Sequence, residues 1–368
     1  MFDVVCIGSA TQDVFVKSDL TKIVRLSDVT ASKEYLAYDY GSKVTIDNIQ
    51  FLTGGGASNT AVSFARLGLS AAFVGKVGKS DDAAAKVIGE LTSEGVDVSH
   101  AAYSNTYGTG YSVILISFEG ERTVLTFRGA NNALDETDVR PEIFTGTRWL
   151  FLSGLSGRSA EMAATIARKA REHGVRIAMN PGSSQLRTKI NGMADILSLT
   201  DVLILNREEA ELAAGMESAR RYVDAQRCTV CGRCVKACPE GIFETSGGAV
   251  TTRSADLCRR CGKCLTACPE GAVIVEPWTY NMTEIFRAFL AAGTKLIVIT
   301  DGKSGSQACD GKDVYFFPAY IAPTIDTLGA GDAFASAFLA GFLREEGIGK
   351  GLQLGAANGS SVVRYFGA

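Results

Sequence analysis

The chain has 368 residues, 46% of them hydrophobic and 21% charged, with a net charge of −3 and a mean hydropathy of +0.12. Such values fit a soluble globular protein with one large domain and a small one, or two medium ones. They exclude nucleic acid as a main partner, which needs a basic balance, and no run reaches the roughly 20 apolar residues of a membrane span.

The N-terminal Met-Phe-Asp-Val-Val-Cys-Ile-Gly has no charged leader, so no signal peptide is expected, and Val4–Ile7 reads as a strand. Residues ~11–52 alternate apolar and polar positions over short stretches, which suits small antiparallel strands beside a main sheet. After Gly54-Gly55-Gly56 the pattern predicts a helix over Ser58–Leu67, a strand at Ala72–Gly75 and a helix over Asp82–Glu94. Strands follow at Ser112–Ser117, Thr123–Phe127 and Trp149–Leu152, then a helix over Ser159–His173. Strands at Arg176–Asn180 and Val202–Asn206 precede a short helix from Glu208. Beyond the segment ~221–276 come a helix (Met282–Ala292), a strand (Lys295–Thr300), a hairpin-like stretch (Gln307–Phe317) and two helices, Ala330–Leu343 and Lys350–Phe366. Strands alternating with helices argue for a parallel sheet covered on both faces.

The segment ~221–276 contains the one strict repeat. Cys228, Cys231, Cys234 and Cys238 recur 30 residues later as Cys258, Cys261, Cys264 and Cys268, and each run ends before a proline, Pro239 or Pro269. That C-x2-C-x2-C-x3-C-P spacing wraps three thiolates round one [4Fe–4S] cluster and sends the fourth to the other. Cys228, Cys231, Cys234 and Cys268 are thus expected to hold one cluster, and Cys258, Cys261, Cys264 and Cys238 the second. Zinc is the inorganic alternative, but it commonly takes paired C-x2-C knuckles. Disulfides would not require the duplicated run and its prolines, so a reducing cytoplasm is expected. The segment's edges, Arg221–Ala225 and Ala272–Glu276, are short and β-prone, and pairing between them would bring the ends of an insert together. With only His100 and His173 in the chain, a Ser–His–Asp or His–metal mechanism lacks supply.

Near the C-terminus, Asp326-Thr327-Leu328-Gly329-Ala330-Gly331-Asp332 runs into a helical stretch. Small residues at a helix start leave N–H groups free for an anion. An Asp beside that site is suited to taking a proton from an attacking hydroxyl; an Asp N-cap after a glycine turn is the plainer alternative. Gly78-Lys79-Ser80 and Gly302-Lys303-Ser304 end like a Walker A loop, but Phe73 and Ile297 stand where its first glycine belongs. Phe334 fills the third-glycine place of a dinucleotide fingerprint begun at Gly329, so NAD binding is not supported.

The C-terminal segment, together with Gly54-Gly55-Gly56-Ala57-Ser58-Asn59 and the helix through Arg66-Leu67-Gly68, resembles the two signatures of the ribokinase-like (PfkB) family of sugar and nucleoside kinases. The resemblance implies an α/β fold, a three-layer αβα sandwich with a small antiparallel β lid, over 1–220 and 277–368. It implies transfer of the γ-phosphoryl of ATP, with Mg²⁺, to a hydroxyl of a sugar or nucleoside. Asp332 would be the base, and Gly329, Ala330 and Gly331 the anion hole. Asp13, Gly55, Gly56 and Asn59 would contact the acceptor, although Asp13 also suits a turn. Asn206 and Glu209 match the family's N-x-x-E motif for Mg²⁺ and phosphate, Thr300, Gly302 and Gly305 its nucleotide loop, and Asn358 a position flanking the base. Asp326 matches a monovalent-cation position of some members, and Arg128 is either a contact for an anionic substrate group or a surface ion-pair residue.

Residues 221–276 resemble a bacterial-type two-cluster ferredoxin, an α+β domain inserted in a loop of the kinase. Electron transfer, redox control of the kinase and an independent fusion all fit, as does a chain that is an electron-transfer protein with the kinase fold as scaffold. A redox partner protein and a homodimer are compatible with these readings.

Overall fold

The computed structural model describes residues 1–18, 22–27, 32–117, 122–215, 220–252, 262–276, 282–344, 346–365 and 367. They form two compact units, one of 1–19, 45–214 and 282–368, the other of 20–44 and 215–281.

The first unit is built on an eight-stranded sheet. Its order is Val314–Phe317, Ser306–Cys309, Leu296–Thr300, Val202–Asn206, Arg176–Met179, Trp149–Leu152, Val4–Ile7 and Ala71–Val74. The last six run parallel, and the first two add an antiparallel edge. The parallel strands are continuous apolar runs (VVCI, WLFL, LIVIT) because both of their faces are covered. Val4 and Cys6 face one helical layer, packing in a core with Ala57 and Phe64 of the helix Gly56–Arg66 and Phe334 and Phe338 of Ala330–Leu343. Phe334, Phe338 and Phe342 stack four residues apart, with centroids 6.4 and 6.3 Å apart. Phe334 and Phe338 are buried, and each contributes about 1.5–3 kcal/mol, which fixes the Ala330–Leu343 helix on the sheet. The helices Ala163–Glu172 and Met282–Ala291 pack on the strands Arg176–Met179 and Leu296–Thr300 respectively. The result is the expected three-layer α/β sandwich.

A second sheet of the same unit orders Arg122–Phe127, Gly110–Ile116, Thr11–Lys17 and Asn48–Gly54. Half of it comes from residues 110–127, joined by the parallel pairing of Thr11–Lys17 with Gly110–Ile116. The hairpin Lys22–Ser27/Ser32–Ala37 belongs instead to the unit that contains 215–281.

Some boundaries differ from expectation. The helix predicted over Ser159–His173 is two pieces, Arg158–Glu161 and Ala163–Glu172, meeting at Met162. The last helix is Gly347–Val362, earlier than predicted, because its glycine-rich start hides the helical period. Three short helices between Ser183 and Leu199 were not predicted.

In the second unit Arg220–Val223 pairs antiparallel with Val273–Glu276, so the two edges of the cysteine segment do meet. Between them lie the helices Arg233–Ala237 and Lys263–Ala267 and a hairpin, Phe243–Ser246 with Ala249–Thr252. Among the described residues no helix is long and apolar enough to cross a membrane.

Candidate active site and cluster ligands

Parallel strands end together, and the loops at their carboxyl ends gather the polar residues of the first unit. After Val4–Ile7 the chain turns through Ser9, whose hydroxyl accepts from Gly56 N at 3.2 Å and whose carbonyl accepts from Ala57 N at 3.1 Å. Ser9 thereby ties this turn to the start of the helix Gly56–Arg66. Gly55, the N-cap, has φ 101°, and a Cβ there would lie 2.6 Å from the Ser9 carbonyl oxygen. Only glycine fits both demands. Gly54 is as tight, since its Cβ would lie 2.0 Å from an Asp13 carboxylate oxygen.

Asp13 is buried in the second sheet, and its Oδ1 accepts from Thr11 Oγ1 at 2.8 Å. Burial pushes its carboxyl above the usual range, against the hydroxyls of Thr11 and Ser112. Asn131 clamps the same region, accepting from Ala10 N at 3.0 Å and donating to Ala10 O at 2.8 Å.

Asp332 lies in the first turn of Ala330–Leu343, half-buried, and accepts from Asn59 Nδ2 at 2.8 Å. Two helices far apart in sequence therefore meet through the predicted base and a predicted acceptor residue. Burial pushes Asp332 up from 3.8 to about 6, with the Asn59 amide opposing. Gly329, the N-cap, is left-handed at φ 76°. Ala330 N donates to Thr327 O at 3.3 Å. A Cβ on Gly331 would meet no protein atom within 4 Å, so packing does not require glycine there. The bare backbone instead leaves room for a ligand.

A cleft of about 740 Å³ opens beside this helix start, walled by Thr300, Gly302, Gly305, Ala330, Gly331 and Ser360 among others. Pockets of this size hold drug- and cofactor-sized molecules. It joins the predicted anion hole to the predicted nucleotide loop, where Asp301 N donates to Gly305 O at 2.8 Å. Asn206 ends the strand beside Leu296–Thr300, in register with Thr300. Arg207 bridges the two loops, its Nη1 lying 3.0 Å from Asp301 Oδ2.

Asn206 and Glu209 form a reciprocal capping box. Asn206 Oδ1 accepts from Glu209 N at 2.8 Å, and Glu209 Oε2 accepts from Asn206 N at 2.9 Å. Burial pushes Glu209 up, and after the opposing Asn206 amide the field of Asp332 adds to the rise. A carboxylate whose charge is disfavoured by burial and by a neighbouring carboxylate fits a divalent cation nearby.

Two predicted residues are placed differently from their neighbours. Asn358 does not line the cleft; its amide donates to Ala333 O at 2.9 Å and Ser63 Oγ at 3.2 Å, while Ala356, Gly359 and Ser360 form the wall. Asp326 is buried and ion-paired to Arg122. Arg128 is exposed. Ser9, Asn131, Arg122 and Arg207 were not singled out as site residues. Of these, only Arg207 had a local signal, since it lies inside the Asn206–Glu209 motif.

In the second unit, Cys234 and Cys264 are buried, Cys228, Cys238 and Cys268 partly so, and Cys231 is exposed; Cys258 and Cys261 lie outside the described residues. Gly232 and Gly262, both left-handed, cap the two short helices and turn the chain round the cysteines. Backbone N–H groups point at sulfur, Val230 N to Cys228 Sγ at 3.4 Å and Ala272 N to Cys268 Sγ at 3.2 Å. Burial raises the Cys234 thiol, and after two opposing amides Cys268 and then Cys228 raise it further, so these three sulfurs share one neighbourhood. Cys228, Cys238 and Cys268 pack on the same small core as Cys234 and Cys264, so cysteines of both runs lie close together. Among the described residues no three His, Cys, Asp or Glu close round a single metal ion. The cysteine set, with backbone N–H groups aimed at sulfur, fits an iron–sulfur cluster.

The sequence matches the profile of the pfkB family carbohydrate kinases over residues 1–233 and 280–368, and that of the 4Fe-4S dicluster domain over 227–273. It is 31% identical over 182 residues to a ribokinase of Haemophilus influenzae, covering 49% of this chain and only 56% of that protein. It is 24% identical over 315 residues to an ATP-dependent ribose-1-phosphate kinase of Halopiger xanaduensis, covering 86% of this chain and 81% of that one. Among solved structures, Arabidopsis thaliana ribokinase complexed with ribose and ATP shares the fold, with TM-score 0.67 at 20% identity over 100% of this chain and 94% of its own.

Proposed function

Because this chain belongs to the pfkB family of carbohydrate kinases, we propose that it transfers the γ-phosphoryl group of ATP to a sugar hydroxyl, with Asp332 as the general base. One observation carries this reading. The half-buried Asp332, raised to about 6, is held by Asn59 one residue from Gly331 in the wall of a cleft of about 740 Å³. A carboxylate tuned in that direction is a stronger base than a free one and is still ionised at neutral pH.

In this scheme Asp13 and Asn59 orient the acceptor, and Asp332 takes the proton of its attacking hydroxyl. Ala330 and Gly331 present the helix N-terminus to the transferring group, favouring its negative charge. The cleft lined by Thr300, Gly302 and Gly305 takes the nucleotide. Asn206 and Glu209 would hold Mg²⁺, which supplies charge neutralisation on the phosphates when bound.

For residues ~221–276 we propose a two-cluster domain inserted in the kinase, with Cys228, Cys231, Cys234 and Cys268 on one cluster and Cys258, Cys261, Cys264 and Cys238 on the other. Its clusters supply single-electron transfer when bound.

The test is a thermal-shift screen of D-ribose, ribose 1-phosphate, D-fructose and nucleosides, followed by ADP release with Mg²⁺ and ATP. Asp332→Asn should lower turnover by about a thousandfold while ATP still binds. Near-normal kcat in that variant would remove Asp332 from its role.

A further inference from the structure

Asp326 lies three residues before Gly329 and is only 7% exposed. Its Oδ1 accepts from Leu328 N at 3.0 Å, and its Oδ2 from Gly367 N at 3.2 Å. Two amides do not balance a buried negative charge; a cation must. That cation is in the chain. The guanidinium of Arg122 pairs with Asp326 through Nη1 and donates to Thr327 Oγ1 through Nη2 at 2.9 Å. Arg122 opens the strand Arg122–Phe127 at the edge of the second sheet, 204 residues from Asp326 in sequence.

We propose that Arg122 is the fixed counter-cation of the loop Asp326–Gly329, so that this loop needs no dissociable monovalent ion. This rests on the kinase reading. A guanidinium keeps its proton at every working pH and offers a rigid fork of donors. It holds two consecutive residues of the loop at once, one by charge and one by a hydroxyl. Gly329 and Ala330 follow after Leu328, so the placement of the helix N-terminus depends on this clamp. Arg122 acts through Asp326 and Thr327 and is a positioning residue.

The experiment compares the wild-type chain, Arg122→Lys and Arg122→Ala in potassium chloride and in choline chloride at equal ionic strength. One readout is ADP release with D-ribose, Mg²⁺ and ATP. The other is the melting temperature, which needs no substrate. Wild type should respond equally to both salts in both readouts. Arg122→Ala should lose about 10- to 100-fold in kcat in choline, with KM for the sugar little changed, as expected of a misplaced catalytic loop. Potassium should then restore about tenfold of that loss and raise the melting temperature of this variant alone, by binding the uncovered carboxylate. Arg122→Lys, which keeps the charge, should be intermediate and show no potassium response.

Severalfold potassium activation of the wild type would overturn the proposal. So would Arg122→Ala with wild-type kinetics, or with a loss that neither readout recovers in potassium, since a plain strut would behave that way. Failure of every sugar to be phosphorylated would instead count against the kinase reading, and the potassium shift in melting temperature would still decide the clamp.

Discussion

In the proposed role of Asp332 as general base, folding and catalysis ask for different things. Burial raises its carboxyl from 3.8 to about 6, so the folded chain binds this proton more tightly than the unfolded one. The group costs nothing below about pH 4; the cost grows as pH rises from about 4 to about 6 and stays in full above that. Its size is on the order of 2–3 kcal/mol. Asp332→Asn, with no charge to bury and an amide oxygen that can still accept from Asn59, should melt higher than wild type at pH 8. At pH 4 the two should melt alike. Activity runs the other way, because the base must be ionised: kcat/KM should fall about tenfold per pH unit below about 6. Melting curves at the two pH values, with a pH–rate profile, check both signs. A variant no more stable at pH 8 than at pH 4, relative to wild type, would mean that Asp332 is not desolvated.

The helix Arg207–Ala213 shows how one motif serves two ends. Asn206 and Glu209 are read from sequence as Mg²⁺ and phosphate residues, and they are also an N-terminal capping box. The two roles separate in Glu209→Gln. Glutamine can still close the box and has no charge to bury, so stability at neutral pH should not fall. The lost charge should raise the Mg²⁺ concentration needed for half-maximal turnover, by about tenfold. Asn206→Ala breaks the cap and should cost about 1 kcal/mol. Denaturant melts and a magnesium titration of ADP release distinguish the two, and unchanged magnesium demand in Glu209→Gln would leave the motif as a cap alone. Elements of this kind were legible because their signals are local. Val4–Ile7 and Trp149–Leu152 announce themselves by unbroken apolar runs, and Gly54–Asn59 and Asp326–Asp332 by spacing. What stayed hidden depends on distant partners. The Arg122–Asp326 pair, the Asn59–Asp332 bond and the Asn131 clamp on Ala10 exist only once the sheet has brought their strands together. The inward turn of Asn358 follows from helix packing, which places Gly359 and Ser360, not the asparagine, on the cleft.

At the scale of the whole chain, chemistry and compactness divide the residues differently from sequence order. Every residue that walls the cleft belongs to the first unit. The hairpin Lys22–Ala37 falls among the strands the sequence assigns to a substrate lid, yet it belongs to the compact unit that carries the cysteines. That unit has a small core of its own: Cys234 and Cys264 with Ile242, Phe243, Val250 and Val273. With Cys234 and Cys264 as the proposed cluster ligands, packing and metal binding share residues, and the core should not survive loss of the metal, as in other small metal-dependent domains. Protein isolated without oxygen should contain about eight iron atoms per chain, and Cys268→Ala about half of that. Removing the iron with a chelator should then act selectively. Affinity for Mg²⁺–ATP should hold, because its residues lie in the first unit. The KM for the sugar should hold as well, because Asp13, Asn59 and Asp332 also lie in the first unit. Calorimetry for the nucleotide and steady-state kinetics for the sugar measure the two quantities separately. A raised KM for the sugar without iron would mean that the cysteine unit takes part in sugar binding, and a loss of nucleotide affinity would mean that the metal supports the Asn206–Glu209 loop.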